Sequence, residues 1–184
     1  MVFCRCSRML YGFSRVSGSV VLVPVGSFED HFDEPMVLDT LLALEASCRV
    51  AEKCGWLVAW PLGYGFSPGH RYSVSLDEDL DARLVLHVAD SLRRLGARRI
   101  VVVDGHYGHS VGLGSVLRSR GHDYINVWSV LEGLGYSDFE KQVLFEKLFS
   151  RYLQRGRGDA ATVLEMLAEE LARLLECNPL GDKG

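Results

Sequence analysis

The chain alternates short runs of β-branched residues with longer amphipathic segments, and this alternation constrains the fold more than any other feature. Residues 20–25 are mostly valine, which predicts a strand buried on both faces. Residues 80–95 carry apolar side chains at helical spacing and are followed by Gly96, which predicts a helix and its end. Residues 100–103 are a second β-branched run. A strand, a helix and a second strand form a βαβ unit, so we expect a parallel sheet with helices on both faces.

The remaining segments complete the same pattern. Further helices are predicted over residues 38–53, 111–120, 139–154 and 162–176, and further strands over residues 56–60 and 124–128. The sequence therefore predicts an α/β fold: a three-layer α/β/α sandwich on a mainly parallel four-stranded sheet. A length of 184 residues fits one domain over residues 1–184. In it we expect an N-terminal extension at residues 1–18 and a helical C-terminal part at residues 130–184.

The charge and composition of the chain exclude several classes of protein. The 20 basic and 24 acidic residues give a net charge of −4 with no basic block, so we expect no nucleic-acid partner. The apolar run at residues 20–25 is far shorter than the ~20 residues that cross a membrane. Five cysteines without a repeated spacing, and an N-terminal segment without an apolar core, do not indicate secretion. We therefore expect a cytoplasmic protein with reduced thiols.

Acidic and imidazole side chains follow the first predicted strand. Ligands of open parallel sheets bind beyond the carboxyl ends of the strands, which is where Glu29 and His31 lie. Residues two apart in an extended segment point the same way, so these two side chains can converge on one ion. Asp39, at the start of the next helix, is close enough in sequence to join them. Carboxylate oxygens with imidazole nitrogens suit zinc, manganese or iron. The alternatives are that Asp39 only caps the helix and that Glu29 is a solvated charge.

A second group of candidates follows the strand at residues 100–103. The segment 104–109 contains two glycines that permit a tight turn, and its His106 and His109 would face the same edge of the sheet. The alternative for His109 is that it begins a helix and bonds to the backbone there. Four further side chains are candidates for contacts with a planar, polar substrate, although aromatic residues at strand ends more often belong to the core: Tyr64, His70, Tyr107 and Trp128.

Four blocks of the sequence resemble the creatininase (creatinine amidohydrolase) family. Residues 24–31 read PVGSFEDH and resemble the opening P-x-G-S-x-E-x-H-G of that family, and residues 38–40 resemble its downstream t-D-t. Residues 61–70 read PLGYGFSPGH and are similar to its P-x-x-y-G-x-S-x-x-H segment. Residues 101–109 resemble its v-v-N-G-H-x-x-N turn, with Asp104 and His109 in place of the two asparagines. The blocks occur in the family's order between residue 20 and about residue 128.

The resemblance implies the same α/β/α sandwich and a dinuclear metal site that hydrolyses the C–N bonds of cyclic or linear amides. By this likeness Glu29, Asp39 and His106 match the ligands of one ion, and Asp39 bridges to a second ion held by His31. It further implies a divalent metal (Zn, Mn or Fe, one or two ions per chain), a small amide or formamide substrate, and a homo-oligomer.

The chain also departs from the family pattern. Gly108 stands where many members carry an acid that completes the second metal site. A later histidine and glutamate of the family align with Gly156 and Ala161, so residues 130–184 are divergent and shortened.

Two hypotheses follow from the resemblance and its departures. In the first, the protein is a metal-dependent hydrolase in which His109 or Asp159 handles protons. In the second, it is a degenerate member that serves as a metal- or ligand-binding or assembly subunit. The four retained candidate ligands favour the first hypothesis.

Overall fold

The protein folds around a four-stranded parallel sheet, seen in a computed structural model that describes residues 6–12, 16–31, 34–109, 112–137 and 160–177. The strands are β1 (Val20–Val25), β2 (Glu29–His31), β3 (Glu34–Met36), β4 (Leu57–Val58), β5 (Arg99–Asp104) and β6 (Asp123–Asn126). The helices are α1 (Leu38–Cys54), α2 (Glu78–Arg94), α3 (Gly112–Ser119), α4 (Val127–Gly133) and α5 (Ala160–Leu174), with a short 3₁₀ turn at Tyr107–His109.

The main sheet has the strand order β4-β1-β5-β6, and each neighbouring pair is parallel. In the central pair, Val23 of β1 lies opposite Val102 of β5. Every residue of β1 is buried, as a strand covered on both faces requires. The predicted four-stranded parallel sheet is confirmed.

Helices cover the two faces of this sheet and form two separate apolar clusters. Val20 and Leu22 point to the face covered by α1, α4 and α5, whereas Val21 and Val23 point to the face covered by α2 and α3. This division follows from the period of two in a strand, which sends successive side chains to opposite faces. The predicted three-layer sandwich is therefore confirmed.

Helix α1 begins without the side-chain cap that the sequence allowed. Its N-cap residue is Val37, which makes no side-chain cap hydrogen bond. Asp39 lies one position inside the helix with its carboxylate buried, so the alternative that it serves only as the cap is wrong. The helix ends at Gly55, whose left-handed backbone (φ 69°) is the conformation that glycine adopts without strain.

Two local predictions differ from the structure. The predicted strand over residues 124–128 ends at Asn126, because the side chain of Asn126 accepts bonds from the backbone N–H groups of Trp128 and Ser129 and so begins α4. The segment after β1, expected to be a simple extended loop, pairs with residues 34–36 as an antiparallel hairpin. The helix predicted over residues 139–154 and the candidate Asp159 lie outside the described residues.

A disulfide joins the end of α1 to the segment after α5. Cys54 and Cys177 are separated by 123 residues in sequence, yet their Cα atoms lie 5.8 Å apart, within the range that a disulfide needs. The expectation that all thiols are reduced is therefore wrong, since two distant cysteines with no sequence pattern meet only through helix packing. Among the described helices, none combines the length and the apolar character needed to cross a membrane.

Candidate metal centre

Two buried carboxylates lie at the carboxyl-end edge of the main sheet. Glu29 follows β1 and is 3% exposed, and Asp39 lies in the first turn of α1 and is 2% exposed. The N-terminus of a helix favours a negative charge, which suits the position of Asp39. Burying an unpaired carboxylate costs several kcal/mol, so partners for both groups are expected close by.

His31 completes a first group of three with these carboxylates. Its Nε2 lies 3.6 Å from Glu29 Oε1 and 3.7 Å from Asp39 Oδ1. One oxygen or nitrogen from each residue can be chosen so that all three atoms lie within 4.8 Å of one another, which is a spacing that one ion can bridge. Glu29 and His31 are two residues apart in β2, so their side chains lie on the same face of the strand. The predicted convergence of these side chains is observed.

His106 reaches the same two carboxylates from the turn after β5. Its Nδ1 lies 2.9 Å from Asp39 Oδ2 and 3.3 Å from Glu29 Oε2. The approach is possible because residue 105 is glycine: a Cβ there would overlap the carbonyl oxygen of Asp39. The structure thus brings together all four side chains that the sequence analysis selects as candidate ligands.

Two buried hydroxyl groups orient the carboxylates, and the sequence analysis did not select them. Ser27 Oγ donates to Asp39 Oδ2 at 2.6 Å, and Ser67 Oγ donates to Glu29 Oε2. Both serines are fully buried. The available signal was their place in the PVGSFEDH and PLGYGFSPGH blocks, which also contain Glu29, His31 and His70. Hydrogen bonds of this kind fix the direction in which a carboxylate presents its free lone pairs.

The electrostatics of the group are dominated by mutual pairing. Burial raises the pKa of Asp39, but hydrogen bonds from His106 and His31 outweigh it and hold that pKa well below its usual value. Burial lowers the pKa of His106, but bonds to Asp39 and Glu29 raise it to about 10. The two carboxylates thus favour a positive charge between them, as they would favour a cation.

The donor set fits a divalent transition metal. It consists of carboxylate oxygens and imidazole nitrogens, the ligands that zinc, manganese and iron accept. Within the part of the chain that the structure describes, Glu29 and Asp39 form ion pairs with histidines and none with lysine or arginine. A metal ion would therefore supply the positive charge that these buried carboxylates otherwise take from protonated imidazole.

His70 lies at the rim of the same group. Its Nε2 is 3.4 Å from Glu29 Oε1, its Nδ1 is 3.2 Å from Asp30 Oδ1, and its side chain is 36% exposed. It combines contact with a candidate ligand and partial access to solvent.

The three aromatic candidates lie in different environments. Tyr64 and Tyr107 are 57% and 61% exposed, so their rings are available to a ligand. Trp128 is buried in α4, where its indole N–H donates to the carbonyl oxygen of Gly105 at 2.6 Å. The structure thus places Trp128 beneath the turn that carries His106.

His109 is buried beside the candidate ligands and does not face solvent. Its Nδ1 lies 3.2 Å from Asp104 Oδ1 and its Nε2 lies 3.3 Å from Asp81 Oδ2. Its ring meets the ring of His106 edge-on, with the centroids 4.5 Å apart. The alternative that His109 begins a helix is wrong, since it ends the short 3₁₀ turn. Asp81 carried no sequence signal, because acids in the first turn of a helix are common on charge grounds alone.

A comparison with protein families identifies the chain. The family model described as creatinine amidohydrolase (Creatininase) matches residues 13–173. The chain belongs to the creatininase family. This confirms the resemblance drawn from its sequence blocks.

Curated relatives within and around this family differ in what they act on. The chain is similar to a creatinine amidohydrolase of Pseudomonas putida, with 34% identity over 135 residues, which are 66% of this chain and 52% of that protein. It is also similar to a mycofactocin precursor peptide peptidase of Mycobacterium ulcerans, with 33% identity over 119 residues, which are 56% of this chain and 47% of that protein. The chain spans about half the length of these two curated relatives.

Solved structures of creatininases share the fold. A structure described as Creatininase Mn superposes with a TM-score of 0.55 and 30% identity, covering 64% of this chain and 55% of that one. A crystal structure of creatinine amidohydrolase gives the same TM-score with 29% identity, covering 64% and 54%. Further similar structures include a Zn–Zn form and a form in complex with creatine.

Proposed function

We propose that this chain is a metal-dependent hydrolase of amide or formamide C–N bonds. The observation that carries the proposal is the convergence of Glu29, His31, Asp39 and His106, two carboxylates and two imidazoles drawn from three separate elements. Membership of the creatininase family supports it, because similar structures are described as manganese and zinc forms.

In this proposal the four side chains hold one or two divalent ions of zinc, manganese or iron. Such an ion lowers the pKa of a bound water and polarises a carbonyl group. Ser27 and Ser67 keep the two carboxylates turned towards the ion. His70, at the exposed rim, would orient or protonate the substrate, and the rings of Tyr64 and Tyr107 would flank it.

The proton-handling roles of His109 and Asp159 stay predictions. His109 is 3% exposed and lies between carboxylates, which favours an indirect role. The homo-oligomer also stays a prediction. A cytoplasmic location stays an expectation, and the Cys54–Cys177 disulfide weighs against it because disulfides are rare in reducing compartments.

The second candidate function is a metal- or ligand-binding subunit without turnover. Gly108 favours it, because this position offers no carboxylate for a second ion. Under this candidate the site would bind one ion and perform no hydrolysis.

Metal analysis followed by activity assays separates these functions. Protein purified without chelator should contain at least one zinc, manganese or iron per chain. It should then hydrolyse a member of a panel of formamides, cyclic ureides and creatinine, and lose that activity on chelation. A protein that binds one ion tightly but hydrolyses nothing supports the second candidate. A protein that takes up no metal on titration contradicts the hydrolase and the metal-binding form of the second candidate, and leaves only a subunit that binds another ligand.

A further inference from the structure

His109 lies in a pocket of carboxylates that the proposed chemistry does not use. Both of its ring nitrogens face a carboxylate oxygen, at 3.2 Å on the Asp104 side and 3.3 Å on the Asp81 side. The backbone of Gly65 packs against the ring from a third direction. The approach is so close that a Cβ at Gly65 would lie 2.6 Å from His109 Cε1 and Nε2. A buried imidazole enclosed in this way has little freedom to rotate.

Asp104 ties this histidine to the turn that carries His106. Its carboxylate is fully buried and accepts three bonds: from the backbone N–H of His106 at 2.8 Å, from Tyr124 Oη at 2.6 Å, and at 3.2 Å from His109 Nδ1. The Asp104 carboxylate thus fixes both the backbone of His106 and the ring of His109.

Asp81 brings a third element, α2, into the same unit. It is 4% exposed, and its Oδ2 is the atom that faces His109 Nε2. Burial raises the pKa of Asp81, and the charge of His109 opposes that rise. A buried carboxylate is costly, so this one is retained where it has a partner.

One side of the His106 ring is covered by the ring of His109. The Nδ1 of His106 faces Asp39 and Glu29, while its Nε2 faces Gly108, which has no side chain to hold it. The His109 ring packs edge-on against the His106 ring, with 4.5 Å between their centroids.

We propose that Asp81, Asp104 and His109 form a positioning unit for His106. The two carboxylates hold the His109 ring, and this ring holds the imidazole of His106 with Nδ1 directed at Asp39 and Glu29. This rests on the proposed function only in that His106 is taken as a metal ligand. The three members are positioning residues, because they act through His106.

The first test compares two carboxylates of the same helix. Asp81→Ala should weaken the binding of Zn²⁺ or Mn²⁺, measured by titration calorimetry, by about 10-fold, the lower end of the cost of losing a direct partner of a ligand, because Asp81 acts one contact further out, through His109. Asp90→Ala is the matched control, because Asp90 also lies on α2 and pairs with a buried histidine, His122 Nε2, at 2.8 Å. The control should lose stability but keep the metal affinity of the wild type. The conservative variant Asp81→Asn, which keeps an acceptor oxygen, should recover most of the affinity.

The second test asks whether Asp81 acts through His109. His109→Ala should weaken metal binding, and adding Asp81→Ala to it should cause no further loss. A full further 10-fold loss in that background would overturn the proposal.

A third measurement needs no metal, so it separates this proposal from the proposed function. In the metal-free protein, the ¹H–¹⁵N ring signals of His106, assigned with His106→Ala, should shift or broaden in Asp81→Ala and stay unchanged in Asp90→Ala. If the wild type binds neither ion, the proposed metal centre fails while these spectra still decide the positioning role. If Asp81→Ala resembles Asp90→Ala in both affinity and spectra, the positioning unit is wrong.

Discussion

Asp39 Oδ2 lies 2.9 Å from His106 Nδ1, although 67 residues separate the two in sequence. The contact joins the first turn of α1 to the turn that follows β5, at the carboxyl-end edge of the sheet. It depends on Gly105, because any side chain at that position would overlap the backbone of Asp39. The site is therefore assembled by close backbone approach.

The central contact predicts the effect of neutralising Asp39. Asp39→Asn should abolish measurable binding of one divalent ion, because it removes the carboxylate that faces both His31 and His106. Glu45→Gln is the control, since Glu45 is an equally buried acid of the same helix that pairs with Arg49 instead. Equal metal content in the two variants would contradict the ligand assignment.

The two histidines nearest to Glu29 should differ in importance. His106→Ala should lower metal affinity more than His70→Ala, because His106 Nδ1 lies closer to two carboxylates and is buried, whereas His70 is 36% exposed. His122→Ala should change stability only, because His122 is a buried histidine directly before β6. Calorimetric titration of the three variants measures the order, and a larger loss in His70→Ala would reverse the assignment.

Residue 108 should not tolerate a side chain without moving His106. A Cβ at Gly108 would lie 2.6 Å from His106 Nε2, so Gly108→Ala should turn this ring and weaken metal binding. Gly108→Glu should do the same unless its carboxylate becomes a ligand. Gly133→Ala is the control, because a Cβ there meets nothing within 4 Å. An unchanged metal affinity in Gly108→Ala would show that the His106 ring can move aside without losing its place in the metal centre.

Much of the sheet could be predicted because its signals are local. Continuous β-branched runs predict β1 at its observed bounds and β5 to within one residue at each end, since buried parallel strands need apolar side chains on both faces. The carboxyl-end rule for parallel sheets then places Glu29, His31 and His106 together.

The features that sequence reasoning missed depend on contacts through space. Asp81 contacts His109 because α2 brings it beside the 3₁₀ turn. Ser67 bonds to Glu29 because its loop returns to that residue. The strand end at Asn126 was missed because a side-chain cap competes with the β-propensity of the residues that follow. The predicted helix at residues 139–154 stays a prediction.

The packing of α5 on α1 predicts a pH-dependent contribution to stability. Glu165 contacts Lys53 Nζ at 2.6 Å and Arg49 Nη1 at 2.9 Å, and the bond from Lys53 lowers the pKa of Glu165 below 4.5. A carboxyl whose folded pKa is lowered stabilises the protein above its unfolded pKa and loses this effect as the pH falls through the folded value.

Glu165→Gln should therefore lower the free energy of unfolding at pH 7 by about 0.5–1 kcal/mol, a modest value because the Glu165 side chain is 44% exposed and its charge is screened by solvent. The difference from wild type should shrink as the pH is lowered below about 4.5. Urea unfolding at several pH values measures it. Glu52→Gln serves as the control, because Glu52 is an exposed acid of α1. A difference that persists unchanged at pH 2 would exclude the ion pairs as its cause.

The disulfide should contribute more to stability than these ion pairs. Cys54 and Cys177 close a long loop, and a link of this kind restricts the unfolded chain, for a typical gain of about 2–4 kcal/mol. Reductant should therefore lower the urea midpoint of the wild type and leave that of the double variant Cys54→Ser/Cys177→Ser unchanged. Alkylation of the denatured protein followed by peptide mass analysis should modify both cysteines only after reduction. If both are alkylated without reduction, the bond does not form in the protein as purified, and the packing of α5 on α1 must then rest on the apolar cluster and the ion pairs alone.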